Sequence, residues 1–186
     1  MNDLPPTTAL PHWPNVPACY GWLSLDARGR WRLKDERVEH GGLLHFLNAN
    51  YASDEHGNWL VHNGPQRVYV ELESAPWVLR LLPGDRLQTH SGRPARALAP
   101  VLVDADGRVS LHTDLGPAAI DDRDLALFLA ELMDARGRSV DDAALDALLE
   151  GASPIALSWR GLPVHHARSS EIPRQLGFQR KPVPGA

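Results

Sequence analysis

The chain has 186 residues, 43% of them hydrophobic and 23% charged, and a formal net charge of −4. That length can bury a real core in one medium domain or two small ones, and the charge balance offers no global attraction to nucleic acid or an anionic membrane. A single cysteine, Cys19, excludes an internal disulfide, and no apolar stretch approaches the roughly 20 residues that span a bilayer.

Residues 1–17 hold prolines at 5, 6, 11, 14 and 17, which forbid a helix and predict an extended arm. Trp13 is expected to staple that arm onto the domain. Met1–Pro6 has neither a basic flank nor an apolar run, so no secretory signal is expected and the chain reads as cytoplasmic. Cys19, between Ala18 and Tyr20, reads as a small buried core residue.

The first unit spans 18–82. Tyr20–Leu25 and Gly29–Leu33 flank Asp26-Ala27-Arg28-Gly29, a hairpin signature whose glycine supplies the positive φ of a tight turn. Gly41-Gly42 opens a helix with Leu43, Leu44, Phe46 and Leu47 at helical spacing. Trp59–His62 is a short strand. In Arg67–Glu73, Val68, Val70 and Leu72 alternate with Arg67, Tyr69, Glu71 and Glu73, which predicts a half-buried strand. Ala75-Pro76 breaks it before Trp77–Leu82, and Trp77 is expected to be buried as the anchor of that break.

Residues 83–97, rich in Gly and Pro, are expected to be a linker. The second unit, 98–186, opens with strands around Val103-Asp104-Ala105-Asp106-Gly107-Arg108-Val109. Its turn glycine lies 78 residues after Gly29, and Phe128-Leu129 lies 82 after Phe46-Leu47. This spacing predicts a duplicated β-β-α unit. Leu125, Phe128, Leu129, Leu132 and Met133 keep helical spacing after Asp121 or Asp122, and Ser139 begins a second helix, so 122–150 reads as a helical pair. A hairpin, Ile155–Trp159 and Leu162–His166, turns at Arg160-Gly161. A one-turn helix in 169–177 and a tail from Gln179 follow.

The fold class expected is α+β, with two tandem β-β-α-type units. Their antiparallel sheets share a core of Leu43, Phe46, Leu47, Val68, Val70, Leu125, Phe128, Leu129 and Leu132. A C-terminal αα-hairpin and a β-hairpin complete it.

Val38-x-His40-x-x-Leu43-x-x-Phe46, Gly57-x-Trp59-Leu60-Val61 and Gln66-Arg67-Val68-Tyr69-Val70-Glu71-Leu72-Glu73-Ser74-Ala75-Pro76-Trp77-Val78 form a further pattern. Over about residues 20–80 it resembles uncharacterised proteobacterial families of domains of unknown function, whose members run Val-Glu-x-x-Asp-Ala-Pro-Phe/Trp here. A fainter likeness continues at Val109–Asp114. Ser74 departs from the usual acid. The resemblance implies a duplicated α+β fold and a signalling or regulatory role rather than an enzyme activity.

Catalytic signatures are missing. His40 and His45 fall on different helix faces, His-Glu-x-x-His is absent, and His165-His166 point opposite ways along a strand. A site assembled from His40, His62, His112 and Asp114 is the alternative metal or hydrolase reading, and the backbone N–H groups at Gly41-Gly42 are a candidate anion site. There is no Gly-x-Ser-x-Gly elbow, no phosphate-binding Gly-x-x-x-x-Gly-Lys loop and no dinucleotide Gly-x-Gly-x-x-Gly fingerprint. Residues 121–150 carry a net charge of −6, which repels a phosphate backbone, while 160–181 carry +4. These blocks are expected to pair with each other, stay solvated, or dock a partner.

A small-ligand site is expected on the outward face Arg67, Tyr69 and Glu71, with His40, Trp77 and His112 nearby. No catalytic residue, metal or cofactor is assigned. The function expected is non-enzymatic small-ligand sensing or regulation in the cytoplasm, with a small ligand or protein as partner and neither nucleic acid nor membrane. A hydrolase and a structural or assembly protein are the alternatives.

Overall fold

One hairpin turn recurs five times. At Asp26, Asp54, Thr89, Asp104 and Asp134 a side-chain oxygen accepts a backbone N–H four residues on. The same residue's backbone pairs with residue i+4, and a glycine at i+3 bonds back to its carbonyl. Those five glycines all stand at φ between 72° and 85°. This is a type I turn closed by a glycine bulge, and Asp or Thr serves because its side chain mimics a backbone acceptor.

The computed structural model describes residues 14–152 and 156–185. The first half forms β1 (Ala18–Leu25), β2 (Trp31–Leu33), β3 (Glu36–Arg37), α1 (Gly41–Ala49), β4 (Tyr51–Ser53), β5 (Trp59–Asn63) and β6 (Gln66–Leu72). Next come β7 (Trp77–Leu82), β8 (Arg86–Thr89), β9 (Pro94–Ala95), β10 (Ala97–Val103), β11 (Val109–Thr113) and β12 (Gly116–Ile120). A 3₁₀ turn at Asp122–Asp124 leads into α2 (Leu125–Ala130), then β13 (Leu132–Asp134) and α3 (Asp142–Leu149). The chain closes with β14 (Leu157–Trp159), β15 (Leu162–His166) and α4 (Ile172–Leu176).

Two large mixed sheets result. The first is ordered β3-β2-β1-β6-β5-β4, with β1 and β6 parallel. The second is ordered β13-β14-β15-β10-β11-β12-β7-β8-β9, with β10 parallel to β15 and β12 parallel to β7. Read from β12 to β13, six of its strands repeat the order of the first sheet. The registers also correspond: Leu23 faces Leu33 and Val70, while Val101 faces Leu111 and Val164. Both central strands carry a register shift, but against different partners: β1 against β6 between Cys19 and Leu23, and β10 against β11 between Leu98 and Val101.

The structure departs from the expectations in several places. The sheets are mixed rather than antiparallel, because the last strand of each six-strand set returns beside the first in the same direction. Residues 83–97 are not a bare linker: β8 and β9 lie there, added to the edge of β7. β7 itself leaves the first sheet and pairs with β12 in the second.

The helical pair is interrupted as well. α2 stops at Ala130, because Leu132–Asp134 pair with Trp159–Leu157 as a strand, and that pairing overrides the helical spacing of Leu132 and Met133. Leu129 is therefore 44% exposed rather than core, and Phe128, four residues before the strand that starts at Leu132, holds the buried place. Leu47, four residues before Tyr51, matches it, so Leu47 and not Phe46 corresponds to Phe128. Of the remaining predicted core, Val68, Val70 and Leu132 are buried, while Leu43, Phe46 and Leu125 are partly so.

One apolar cluster runs through both sheets. Its centre is an aromatic seam in which Trp31, Tyr51 and Trp59 of the first sheet meet Trp77 and His90 of the second. Ring centroids are 5.0 Å apart for Trp31–Tyr51, 5.2 Å for Tyr51–Trp77, 5.5 Å for Trp59–Trp77 and 5.4 Å for Trp77–His90. Trp77 is buried, as its place after Ala75-Pro76 predicts, and its indole N–H donates to the Leu115 carbonyl at 2.8 Å. The Trp31 indole donates to Asn48 at 2.7 Å. Each buried indole of the seam that has such a partner avoids the cost of a lost hydrogen bond.

Of the N-terminal arm, Pro14–Pro17 are described, and the Gln66 amide donates to the carbonyls of Pro14 and Val16. Trp13 and Ile155 lie outside the described residues.

Candidate arginine-lined cleft

The tip of the β1–β2 hairpin reaches across to the second sheet. Gly29, at φ +74°, sits so close to Val78 on β7 and to His90, just past β8, that a Cβ there would collide with the His90 Cβ and lie 3.3 Å from the Val78 Cβ. No side chain fits. Beside this contact opens a cleft of about 300 Å³ whose walls include Arg28, Arg30, Arg80, His90, Asp121 and Arg123.

Three of the guanidinium groups are held from behind by aspartates. Arg28 donates through Nε and Nη2 to Asp122 at 3.0 and 2.9 Å. Arg80 grips Asp124 in the same way at 2.6 and 3.1 Å, and Arg123 grips Asp121 at 2.8 and 2.6 Å. Arg30 donates through Nε alone to Asp26 at 2.7 Å. In Arg28, Arg80 and Arg123 the Nη1 group makes no hydrogen bond among the described residues. The carboxylates of Asp26, Asp121 and Asp124 are buried, whereas the four arginine side chains are 39–51% exposed. The layer facing solvent is therefore cationic and its counter-charges lie mostly beneath it.

Burial alone would raise the Asp121 carboxyl, but the side-chain and backbone N–H groups of Arg123 outweigh it and hold it at about 2. The same partnerships push Arg28, Arg80 and Arg123 upward, with the hydrogen bond to each aspartate as the main cause. His90 moves the other way: burial pushes it down to about 4, against a weak upward pull from Asp26. It is neutral near pH 7, and its Nδ1 faces the Val78 N–H at 3.4 Å, so the proton belongs on Nε2. That Nε2 is sealed from solvent and has no hydrogen-bond partner among the described residues.

The residues proposed from sequence lie elsewhere. His40 caps α1, accepting the Leu43 N–H at 3.2 Å. Arg67 is exposed and opposite His62. Tyr69 turns out to be buried, because it stacks on Tyr20 with centroids 4.4 Å apart. Glu71 lines a second cleft of about 230 Å³, with Glu73, Arg180 and Lys181 rather than with Tyr69 or His40. Trp77 stands in the seam behind the arginine cleft. His112, half-buried on β11 between Leu98 and Pro117, is pushed down by burial. Neither a hydrogen bond nor an ion pair among the described residues joins any two of these six.

Asp114 accepts the Arg96 N–H, and no three His, Cys, Asp or Glu among the described residues are arranged to hold a metal ion. The acidic and basic blocks meet through Arg160 and Glu131 at 2.7 Å, but Asp121, Asp122, Asp124 and Asp134 pair with arginines outside the basic block. The cleft itself went unseen in sequence. Its signal is the run Arg28-Gly29-Arg30-Trp31-Arg32 set against Asp121-Asp122-Arg123-Asp124.

These features define a mixed α+β protein with two six-strand sets of one order and a basic cleft where the sheets meet. The chain belongs to the family DUF2944, described as "Protein of unknown function (DUF2946)", whose model matches residues 2–183. A DUF1285 family protein from Silicibacter pomeroyi DSS-3 shares the fold, with a TM-score of 0.52 and 13% identity over 83% of this chain and 84% of that one. A DUF1285 family protein from Shewanella baltica OS155 aligns at a TM-score of 0.43 and 12% identity, covering 57% of this chain and 89% of its own. No curated protein matches the chain. No helix among the described residues is long and apolar enough to cross a membrane.

Proposed function

We propose that this protein is a non-enzymatic cytoplasmic module that binds a small anionic ligand in the arginine cleft and serves a sensing or regulatory role. The observation that carries the reading is the layering of charge: exposed guanidinium groups in front, with buried carboxylates fixing Arg30, Arg80 and Arg123 from behind and the exposed Asp122 fixing Arg28. Arginines held in this way are pre-organised, so little side-chain freedom is lost when a ligand arrives. The cleft joins the Asp26 hairpin of one sheet to β7 and β8 of the other, so a ligand there reports on how the two sheets sit together. Trp77 contributes from behind, as the aromatic floor on which His90 rests. The corresponding strand orders and registers support tandem duplication of one six-strand unit, with β7–β9 added at the edge of the second copy.

His90 gives no support to a hydrolase. A catalytic dyad needs a carboxylate on one imidazole nitrogen and an accessible second nitrogen, and here Nδ1 faces a backbone N–H while Nε2 is sealed. A thermal-shift screen of millimolar anions and metabolites tests the reading. Saturable stabilisation that Arg28→Gln abolishes is the expected result. Absence of any stabilising anion, or equal stabilisation of Arg28→Gln, overturns it.

A further inference from the structure

We propose that the ligand is a small molecule carrying a single phosphate ester group, which the end-on forks of Arg28, Arg80 and Arg123 hold together. This rests on the reading of the cleft as an anion site and narrows it to one chemistry.

The argument begins with the donors. Each of these guanidinium groups spends Nε and one N–H of Nη2 on its own aspartate. What is left on each is Nη1 and the second N–H of Nη2, a planar fork on the edge away from the carboxylate. Three forks supply more donors than one flat carboxylate can accept, whereas a phosphate monoester offers three terminal oxygens in three directions.

Charge narrows the choice further. The cleft walls carry Arg28, Arg30, Arg80 and Arg123 against one lining carboxylate, Asp121, while Asp26, Asp122 and Asp124 pair with Arg30, Arg28 and Arg80 outside the lining. A wall that is cationic at its surface and balanced by its partners suits an anion of low charge, such as a phosphate monoester. A triphosphate would overcharge the site, with Asp122, itself 57% exposed, at its rim. Volume agrees, since about 300 Å³ lies at the small end of ligand pockets.

Titration calorimetry on the full chain tests this with four probes: inorganic phosphate, methyl phosphate, succinate and ATP. The expected result is saturable binding of phosphate and methyl phosphate, with succinate and ATP at least tenfold weaker. Arg28→Lys keeps the charge but loses the fork, and should weaken methyl phosphate roughly tenfold, the equivalent of about 1.4 kcal/mol. Arg28 and Asp122 are both well exposed, so this variant keeps the fold. Arg108→Gln, at the equivalent turn of the second sheet, should bind as the parent does. Tight succinate or ATP binding without methyl phosphate binding overturns the phosphate assignment while leaving the cleft as the ligand site. No binding of any probe overturns both. Methyl phosphate binding unchanged by Arg28→Lys overturns the proposed fork.

Discussion

The hairpin turns at Asp26 and Asp104 have the same backbone hydrogen bonds, the same glycine conformation (φ 74° and 75°) and equivalent places in their sheets, yet they do different work. In the first, the outer carboxylate oxygen of Asp26 takes Arg30, and Gly29 presses against His90 and Val78. In the second, Asp104 takes the hydroxyl of Ser169, Arg108 reaches its neighbour Asp106, and Gly107 meets only a methyl of Leu149 at 3.9 Å. The local code fixes the turn. What the turn touches decides whether it becomes the wall of a site or a surface hairpin.

Breaking the seam behind the first turn should have the largest effect. Trp77→Ala removes a buried indole from between the two sheets and is expected to cost about 3–5 kcal/mol in urea unfolding. The glycines give the sharpest contrast. Gly107→Ala bears only the strain of a positive φ, about 1 kcal/mol. Gly29→Ala bears that strain plus a clash with His90, just past β8, and should cost about 2–4 kcal/mol by the same measurement. Equal costs would mean that the first turn does not press on the second sheet.

Part of the pH dependence lies on the cleft side. His90 is held below its ordinary value, near 4, so its contribution is whole above about pH 6.5 and is lost as pH falls toward 4. Asp121, near 2, contributes fully above about pH 4, and that share is lost as pH falls toward 2. Stability measured against pH should therefore fall in two stages. His90→Phe should remove the first and leave the second. The smallest effects belong to the exposed Leu129 and the half-buried Glu71: Leu129→Ser and Glu71→Ala should each stay within about 0.5 kcal/mol in thermal unfolding. Leu47→Ala, on the corresponding helix of the first sheet, should cost about 2–5 kcal/mol.

Local chemistry was readable where it was self-contained. Asp26-x-x-Gly29 and Asp104-x-x-Gly107 announced their turns, Gly41–Leu47 its helix, and Ala75-Pro76 the buried Trp77. The same turn signature also closes hairpins at Asp54, Thr89 and Asp134, so its recurrence alone says less about duplication than the shared strand order does. Helical spacing misled at Leu132 because a partner strand 25 or more residues away claims it. Alternation misled at Tyr69 because Tyr20, on the neighbouring strand, covers it. The cleft is the extreme case. Arg28 and Asp122 are 94 residues apart and Arg80 and Asp124 are 44 apart, so their meeting depends on the sheet order and not on any motif.

The most direct test of the cleft is to watch the arginine Nε–H resonances by NMR while inorganic phosphate is added to the intact protein. Saturable shifts at Arg28, Arg80 and Arg123, with Arg108 and Arg138 unmoved, are the result this structure predicts. Shifts of similar size at Arg108 and Arg138, growing without saturation, would show that phosphate merely screens surface charge and that the cleft is not a binding site.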